Sequence, residues 1–302
     1  MSPHRVALCV LLVLTGCSAR QPAAPRPAVV VPGTERQFQV REAQLEDGAI
    51  TVRLEIPPAP AGPKPAVLAN LNESARMLDE GVVVVTYKID WARLKGGPPA
   101  AAAGGGTPVG KWVLASASPG SLGQQYLGQI AATATIVIPR VIDYLDTAPE
   151  VDASRLAITG GSTNGFIALQ AIAADKRLDV ATVAAACGDY HTFLRLSSMG
   201  MEGKPLALDP AYDRWLRAQE AINHPRKLVH AALLMVARVQ DPLIPIACAD
   251  ETDTVVARAF AASGHRDRYR YVRITDAEGH GLGTGEDAEN LAWLRQWLLG
   301  GR

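Results

Sequence analysis

The sequence predicts an α/β fold in which a mostly parallel, twisted sheet is flanked by helices. Short runs of apolar and β-branched residues, such as residues 82–87, alternate along the chain with helical segments. This is the pattern of buried parallel strands joined by right-handed crossovers. Near the start, residues 38–44 and 49–56 alternate apolar and polar side chains around Asp47-Gly48. They predict an antiparallel N-terminal hairpin at one edge of the sheet.

The remaining elements follow the same reasoning. Further strands are predicted at residues 66–71, 82–87, 155–159, 180–187, 231–236 and 269–274. Helices are predicted at residues 74–80, 126–146, 165–174, 249–263 and 286–299. Two segments interrupt the alternation. Residues 88–124, rich in Gly, Pro and Ala, predict a long surface loop, and the polar, aromatic residues 190–223 predict a small cap.

The first 16 residues predict a signal peptide that is not part of the fold. A basic start precedes an apolar run, residues 6–14, which is too short to span a bilayer. The run ends in Leu14-Thr15-Gly16-Cys17, which resembles the lipobox of bacterial lipoproteins. The resemblance implies lipidation of Cys17, a Pro-rich tether over residues 17–35 and a folded domain over residues 36–302. An ordinary secretory signal that happens to contain a cysteine is the alternative.

The lipobox resemblance also implies a location. Ser18, rather than an aspartate, follows the cysteine, which favours the periplasmic face of the outer membrane. The folded part contains two cysteines, Cys187 and Cys248. An oxidising periplasm would allow them to pair, but we favour the interpretation that they are two buried small hydrophobic residues.

Charge and motif content narrow the class of function. Lys and Arg total 30, as do Asp and Glu, so the formal net charge is zero. This balance argues against a nucleic-acid binder, which usually has a basic excess. The sequence has no His, Cys or carboxylate cluster with zinc spacing, no phosphate loop and no dinucleotide fingerprint. We therefore expect no cofactor and no metal.

A serine lies between a predicted strand and a predicted helix. Ser162 follows Gly160-Gly161 and precedes Thr163-Asn164-Gly165. A serine on a sharp strand-to-helix turn is lifted above the sheet, and small neighbours relieve the crowding of that strained turn. The N–H of Thr163, at the positive end of the helix, would then face a carbonyl oxygen. The alternative is a glycine-rich turn whose serine caps the helix.

An acid and a base follow later strands. Asp241 stands in a Pro-bounded turn after the strand predicted at residues 231–236, and His280 lies in a Gly-His-Gly loop beyond Ile274. An acid so placed can orient a histidine base, although Asp-Pro is also a common turn former. All three candidates follow strands of a parallel sheet, so we expect them at the same edge of the sheet.

These motifs resemble those of the prolyl oligopeptidase and dienelactone hydrolase branches of the α/β-hydrolase superfamily. Gly-Gly-Ser-x-x-Gly looks like their nucleophile elbow, although Asn164 stands where the pattern prefers glycine. The resemblance implies the α/β-hydrolase fold and a catalytic triad of Ser162, Asp241 and His280. It implies Thr163 as one oxyanion donor. The second would come from Leu71 or Asn72, where most relatives carry His-Gly.

The same resemblance implies a serine hydrolase that works through an acyl-enzyme. Prolyl oligopeptidases carry a large β-propeller, for which this chain has no room, so we expect a small-molecule carboxylic ester as substrate. A serine peptidase is the alternative enzyme, and a non-catalytic surface module on a hydrolase scaffold is the alternative of another class. Aromatic candidates for a substrate pocket, each of which could instead be a packing residue, are Trp112, Tyr126, Tyr190 and Trp215.

Overall fold

The computed structural model describes residues 38–58, 61–69, 74–96, 122–203, 207–280 and 284–300. Its strands are β1 (Gln39–Leu45), β2 (Ile50–Ile56), β3 (Lys64–Ala69), β4 (Val83–Ile89), β5 (Val151–Gly161), β6 (Leu178–Ala184), β7 (Ala232–Gln240) and β8 (Tyr269–Glu278). Its α-helices are α1 (Ser74–Asp79), α2 (Leu122–Ala132), α3 (Ile138–Leu145), α4 (Thr163–Ala174), α5 (Tyr190–Leu196), α6 (Pro210–Gln219), α7 (Ile246–Ala262) and α8 (Thr284–Leu294). None of the helices in these ranges is long and apolar enough to cross a membrane.

The strands form one sheet in the order β1-β2-β4-β3-β5-β6-β7-β8. β2 runs antiparallel to both β1 and β4, and each neighbouring pair from β4 to β8 is parallel. The predicted fold class and the N-terminal hairpin at the sheet edge are therefore confirmed. β5, which precedes Ser162, lies inside the sheet, with β3 on one side and β6 on the other.

Buried apolar residues cover both faces of the sheet. Leu68 and Ile158 point into a layer that also contains buried side chains of α2, α3, α4 and α7. Their chain neighbours Val67 and Ala157 point into the opposite layer, with α1 and α8. This two-sided burial explains the continuous apolar runs of the sequence. Because both faces are packed, the carboxyl ends of the strands form a fixed edge from which loops can present side chains.

Some predicted boundaries were wrong. The helix predicted at residues 126–146 is α2 and α3 joined by a π-helical turn, Thr133–Val137. Within it, the hydroxyl of Thr133 donates to the carbonyl of Gln129, four residues earlier. β4 continues to Ile89, into the segment predicted as loop, and β8 continues to Glu278, past its predicted end at Ile274. Backbone pairing extends both strands: Lys88 and Ile89 pair with β2, and Glu278 pairs with Gln240 of β7, a contribution that the side-chain pattern does not show.

The segment predicted as a cap contains α5 and α6. Each helix begins with an aspartate cap, since Asp189 accepts from the N–H of Thr192 and Asp209 from those of Ala211 and Tyr212. Tyr190 and Phe193 of α5 and Tyr212 and Leu216 of α6 are buried in the larger core layer. These helices therefore pack into the body of the protein along one side.

Cys187 and Cys248 form a disulfide, with their Cα atoms 5.7 Å apart. The bond joins the loop after β6 to the first turn of α7. The expectation of two separate buried residues was wrong. Both cysteines are indeed buried, but the parallel crossover brings their 61-residue separation down to bonding distance.

Candidate active site

Ser162 occupies the turn between β5 and α4. Its backbone has a positive φ of 55° with ψ of −124°, a conformation that non-glycine residues rarely adopt. Its N–H donates to the carbonyl of Ala184 in β6, at 2.9 Å, which ties the turn to the neighbouring strand. The side chain makes no capping hydrogen bond to α4. The alternative that Ser162 is a helix cap is therefore excluded, and its hydroxyl is left for another partner.

Gly160 and Gly165, on either side of Ser162, are required by close packing. A Cβ at position 160 would lie 2.1 Å from the carbonyl oxygen of Asn164, and one at position 165 would lie 2.8 Å from the carbonyl oxygen of Ala184. Asn164, the departure from the elbow pattern, has an ordinary helical backbone in the first turn of α4. An asparagine at this position therefore leaves the geometry of the turn intact.

Ser162, His280 and Asp241 lie in one chain of hydrogen bonds. The Oγ of Ser162 is 2.9 Å from Nε2 of His280, and Nδ1 of His280 is 2.8 Å from Oδ2 of Asp241. The three residues come from the ends of β5, β8 and β7, and they are 39 to 118 residues apart in sequence. The structure thus brings together the three residues that the sequence singled out.

The loops that carry the acid and the base are themselves fixed. The second oxygen of Asp241, Oδ1, accepts from the N–H groups of Leu243 and Ile244 at 2.9 and 3.0 Å. Gly279, with a φ of +75°, sets the turn before His280, and its N–H donates to the carbonyl of Gln240. The side chain of Asp241 is 1% exposed and that of His280 is 22% exposed. A buried acid therefore holds a base that solvent can reach.

Thr163 directly follows Ser162 and begins α4. The first N–H groups of a helix have no partner within the helix and carry its positive end, so they favour a developing negative charge. The Oγ1 of Thr163 lies 2.6 Å from the hydroxyl of Tyr126 in α2. Burial raises the pKa of the Tyr126 phenol, and the hydrogen bond with Thr163 only partly opposes this. Tyr126 therefore remains a neutral hydrogen-bonding group at physiological pH.

A cavity of about 210 Å³ adjoins Thr163 and Asn164. Its aromatic walls are Tyr87, Trp91 and Tyr126, so of the aromatic candidates Tyr126 reaches a pocket. Tyr190 is 1% exposed and bonds to Gln170, and Trp215 stacks on Tyr212, so these two are packing residues. Sequence reasoning missed Tyr87 and Trp91. Tyr87 is the last residue of the strand predicted at residues 82–87, and Trp91 lies just beyond the observed end of β4. These positions near the carboxyl end of a strand were the available signal.

Several predicted residues lie outside the described ranges. These are Cys17, the oxyanion candidates Leu71 and Asn72, and Trp112.

A separate cluster of ionisable side chains lies at α5 and α6. The ligand atoms of Asp189, His191 and Glu220 lie within 4.8 Å of one another, close enough to share a cation. In the structure they bond to protein groups instead. His191 contacts Glu220 through Nδ1 and, at 2.6 Å, Asp213 through Nε2. The sequence did not indicate this cluster, because Glu220 is 29 residues from His191.

The sheet order, the strained serine turn and the Ser–His–Asp arrangement define the chain as a protein with the α/β-hydrolase fold. Solved structures with this fold superpose on nearly all of it. The acetyl xylan esterase of Paenibacillus sp. R4 matches with a TM-score of 0.63 and 18% identity, over 92% of this chain and 90% of the esterase. A puromycin-hydrolyzing peptidase of Mycobacterium tuberculosis matches with a TM-score of 0.61 and 18% identity, over 89% of this chain.

Among curated proteins, YtaP of Bacillus subtilis (strain 168), which is named as a hydrolase, is 25% identical over 157 residues. That match covers 52% of this chain and 50% of YtaP. The chain also spans only 41% of the mycobacterial peptidase. No protein-family model matches the chain.

Proposed function

We propose that this protein is a serine hydrolase in which Ser162 is the nucleophile, His280 the base and Asp241 the residue that orients the base. The observation that carries the proposal is the continuous chain of hydrogen bonds from Ser162 Oγ through both nitrogens of His280 to Asp241. A serine hydroxyl is a weak nucleophile unless an adjacent base removes its proton. A buried aspartate on the far nitrogen of the imidazole holds the tautomer that this requires.

The reaction follows from these contacts. Ser162 Oγ attacks the substrate's carbonyl carbon while its proton passes to Nε2 of His280, which becomes an imidazolium facing Asp241. The bond from the carbonyl carbon to the leaving group then breaks, and the leaving group takes that proton. Water next attacks the acyl-enzyme, again giving its proton to His280. The bond to Oγ breaks, the acid leaves and the proton returns to Ser162.

The negative charge on the carbonyl oxygen needs donors aimed at it. The N–H of Thr163 is the proposed first donor, at the positive end of α4. We propose a backbone N–H of Leu71 or Asn72, just beyond the end of β3, as the second. One donor of this kind contributes about 10²–10³ to the rate in serine proteases.

Carboxylic esters are the proposed substrates. In support, the acetyl xylan esterase is matched over about nine-tenths of both chains, whereas the mycobacterial peptidase is matched over less than half of its own length. A peptidase of prolyl oligopeptidase type is the second candidate, since the same triad cleaves amides.

The decisive experiment is labelling with a fluorophosphonate, followed by rate measurements on p-nitrophenyl esters and peptide p-nitroanilides. We expect stoichiometric labelling of the wild type, none of the Ser162→Ala variant, and faster turnover of esters than of amides. Faster amide cleavage would favour the peptidase. A folded wild type that takes no label would mean that the chain is a non-catalytic module on a hydrolase scaffold.

We also propose that Cys17 is lipidated and anchors the protein to the periplasmic face of the outer membrane. The lipobox-like run before Cys17 motivates this, and the disulfide between Cys187 and Cys248 is of the kind that persists in oxidising compartments. Mass spectrometry of the mature N-terminus would find a diacylglyceryl cysteine in the wild type and an uncleaved precursor in Cys17→Ser. An unmodified terminus that begins elsewhere would refute the anchor.

A further inference from the structure

The cavity beside Thr163 has walls of a defined chemical character. Three aromatic side chains, Tyr87, Trp91 and Tyr126, and three isoleucines, Ile89, Ile130 and Ile167, supply its apolar surface. The remaining lining residues are amides and hydroxyls, and within the described ranges none of the lining residues is charged. A carboxylate or ammonium group placed here would lose its water without gaining an opposite charge, which is costly. The walls therefore suit an uncharged group with an apolar or aromatic surface.

The position of the cavity relative to the triad is set by the order of the strands. The cavity is built from the end of β4 and from α2, together with the start of α4. β4 lies on one side of β5, while β7 and β8, which carry Asp241 and His280, lie on the other. Ser162, at the end of β5, therefore separates the cavity from the proton-transferring base.

This separation indicates where the acyl group and the leaving group of a bound ester would lie. The leaving-group oxygen must lie within hydrogen-bond reach of His280 Nε2, because it takes its proton from there. The carbonyl oxygen must point at the Thr163 N–H. The acyl substituent is then directed away from His280, toward Tyr126 and the end of β4. Building on the proposed function, we propose that this cavity is the acyl-binding site and that it selects bulky, uncharged acyl groups, with aromatic acyl groups fitting best.

The size of the cavity supports this assignment. Sites that hold a whole drug-sized ligand are typically about 300–1,000 Å³, so the cavity of about 210 Å³ receives one group of the substrate. An acetyl group would leave most of the apolar wall uncovered, whereas a benzoyl ring covers it and can pack against Trp91 and Tyr126. We therefore expect benzoate esters to be better substrates than acetates of the same alcohol.

The test compares kcat/KM for p-nitrophenyl benzoate and p-nitrophenyl acetate, which share one leaving group. Trp91→Ala removes an aromatic wall, and Ile89→Trp, at a half-buried position, narrows the cavity. We expect each to lower the benzoate-to-acetate ratio about tenfold. The matched control is Trp215→Ala, the same truncation at a tryptophan that packs on Tyr212 away from the cavity lining, and it should leave the ratio as in the wild type.

A second series distinguishes the acyl group from the leaving group. Phenyl acetate and 2-naphthyl acetate share the acyl group and differ only in the alcohol, so their ratio should not respond to Trp91→Ala. A response in this series, with none in the benzoate series, would show that the cavity holds the leaving group and would overturn the inference. An unchanged benzoate-to-acetate ratio in both variants, with fluorophosphonate labelling intact, would overturn it while leaving the serine hydrolase proposal in place. A wild type that neither takes the label nor cleaves any ester would overturn both.

Discussion

The hydroxyl of Tyr126 lies 2.6 Å from the hydroxyl of Thr163, the residue that directly follows the proposed nucleophile. This contact joins α2 to the first residue of α4 across 37 positions of sequence. It therefore braces, from outside the triad, the residue whose N–H is the proposed oxyanion donor.

Removing that brace should slow the reaction. We expect Tyr126→Phe to lower kcat about fivefold, which corresponds to the loss of one hydrogen bond of about 1 kcal/mol. Thr163→Val should give a similar loss, and the double variant should lose little more than either single one. Stopped-flow rates of acyl-enzyme formation for the four proteins measure this coupling. Losses that simply add in the double variant would mean that the contact does not position Thr163.

The strained backbone of Ser162 predicts a gain in stability when it is relieved. At a φ of 55°, glycine has no Cβ to clash, so Ser162→Gly should raise the free energy of unfolding by about 1 kcal/mol and abolish labelling. Ser162→Ala, which keeps the Cβ, is the control and should unfold close to the wild type. Denaturant titration of the three proteins checks this. A glycine variant that is less stable than the alanine variant would contradict it.

Asp241 should affect catalysis, by fixing the tautomer of His280, more than it affects the packing and stability of the fold. Asp241→Asn is nearly isosteric, but its amide N–H₂ cannot accept from Nδ1, so we expect kcat to fall by about 10⁴. The N–H groups of Leu243 and Ile244 can still bond to the amide oxygen, which should preserve the loop. Single-turnover kinetics with thermal unfolding as the control would test both points. A loss of less than tenfold would remove Asp241 from the triad.

His191 predicts a pH dependence of stability that is separate from catalysis. The hydrogen bond with Glu220 has the largest effect on the imidazole and raises its pKa. Burial lowers the pKa, and the hydrogen bond with Asp213 raises it. Arg217, which pairs with Asp213, lowers the pKa, but the net result is a raised pKa. A folded-state pKa above the unfolded value of about 6.5 gives stability that is present below that pH and is lost as pH rises through the folded pKa. The melting temperature should therefore fall as the pH of the buffer is raised above about 6.5.

The His191→Gln variant isolates this contribution. It should lose the decline over that range, whereas the exposed His265→Gln should retain it. Differential scanning calorimetry of the three proteins in matched buffers measures the effect. If the wild type and His191→Gln show parallel curves, His191 does not titrate with folding.

The disulfide should contribute substantially to stability. Its 61-residue loop gives an expected stabilisation of about 4 kcal/mol from restriction of the unfolded chain. We expect the free energy of unfolding of the double variant Cys187→Ala, Cys248→Ala to be lower by that amount, so that its denaturant midpoint falls. Dithiothreitol should have no further effect on this variant. Equal midpoints for the oxidised wild type and the double variant would show that the bond is dispensable.

The fold and the proximity of Ser162, Asp241 and His280 were predictable because their signals are local. Apolar runs and their spacing mark the strands, and Gly160, Gly165 and Gly279 mark turns that close packing or positive φ requires. Parallel strands place their carboxyl ends at one edge, so a serine, an acid and a histidine that each follow a strand must approach one another.

The cavity and the ionisable cluster were not predictable in the same way. Tyr87 and Trp91 become walls only because α2 and the end of β4 line the same cavity, and the sequence does not specify that arrangement. His191 meets Glu220 and Asp213 only once α6 has docked beside α5. The disulfide was missed for the same reason, since burial alone does not distinguish a bonded pair of cysteines from two unpaired ones.

The sheet order of β4, β3, β5, β6, β7 and β8 has a consequence for how such a protein can diverge. In the proposed assignment, the residues of β4 that contact the acyl group lie on one side of β5, and the residues that move the proton lie at the ends of β7 and β8 on its other side. Mutational libraries confined to residues 87–91 and 129–133, which leave Tyr126 and its bond to Thr163 in place, would therefore explore new substrates without disturbing the proton relay. Proteins that share this arrangement can change their substrate specificity while they keep the same catalytic mechanism.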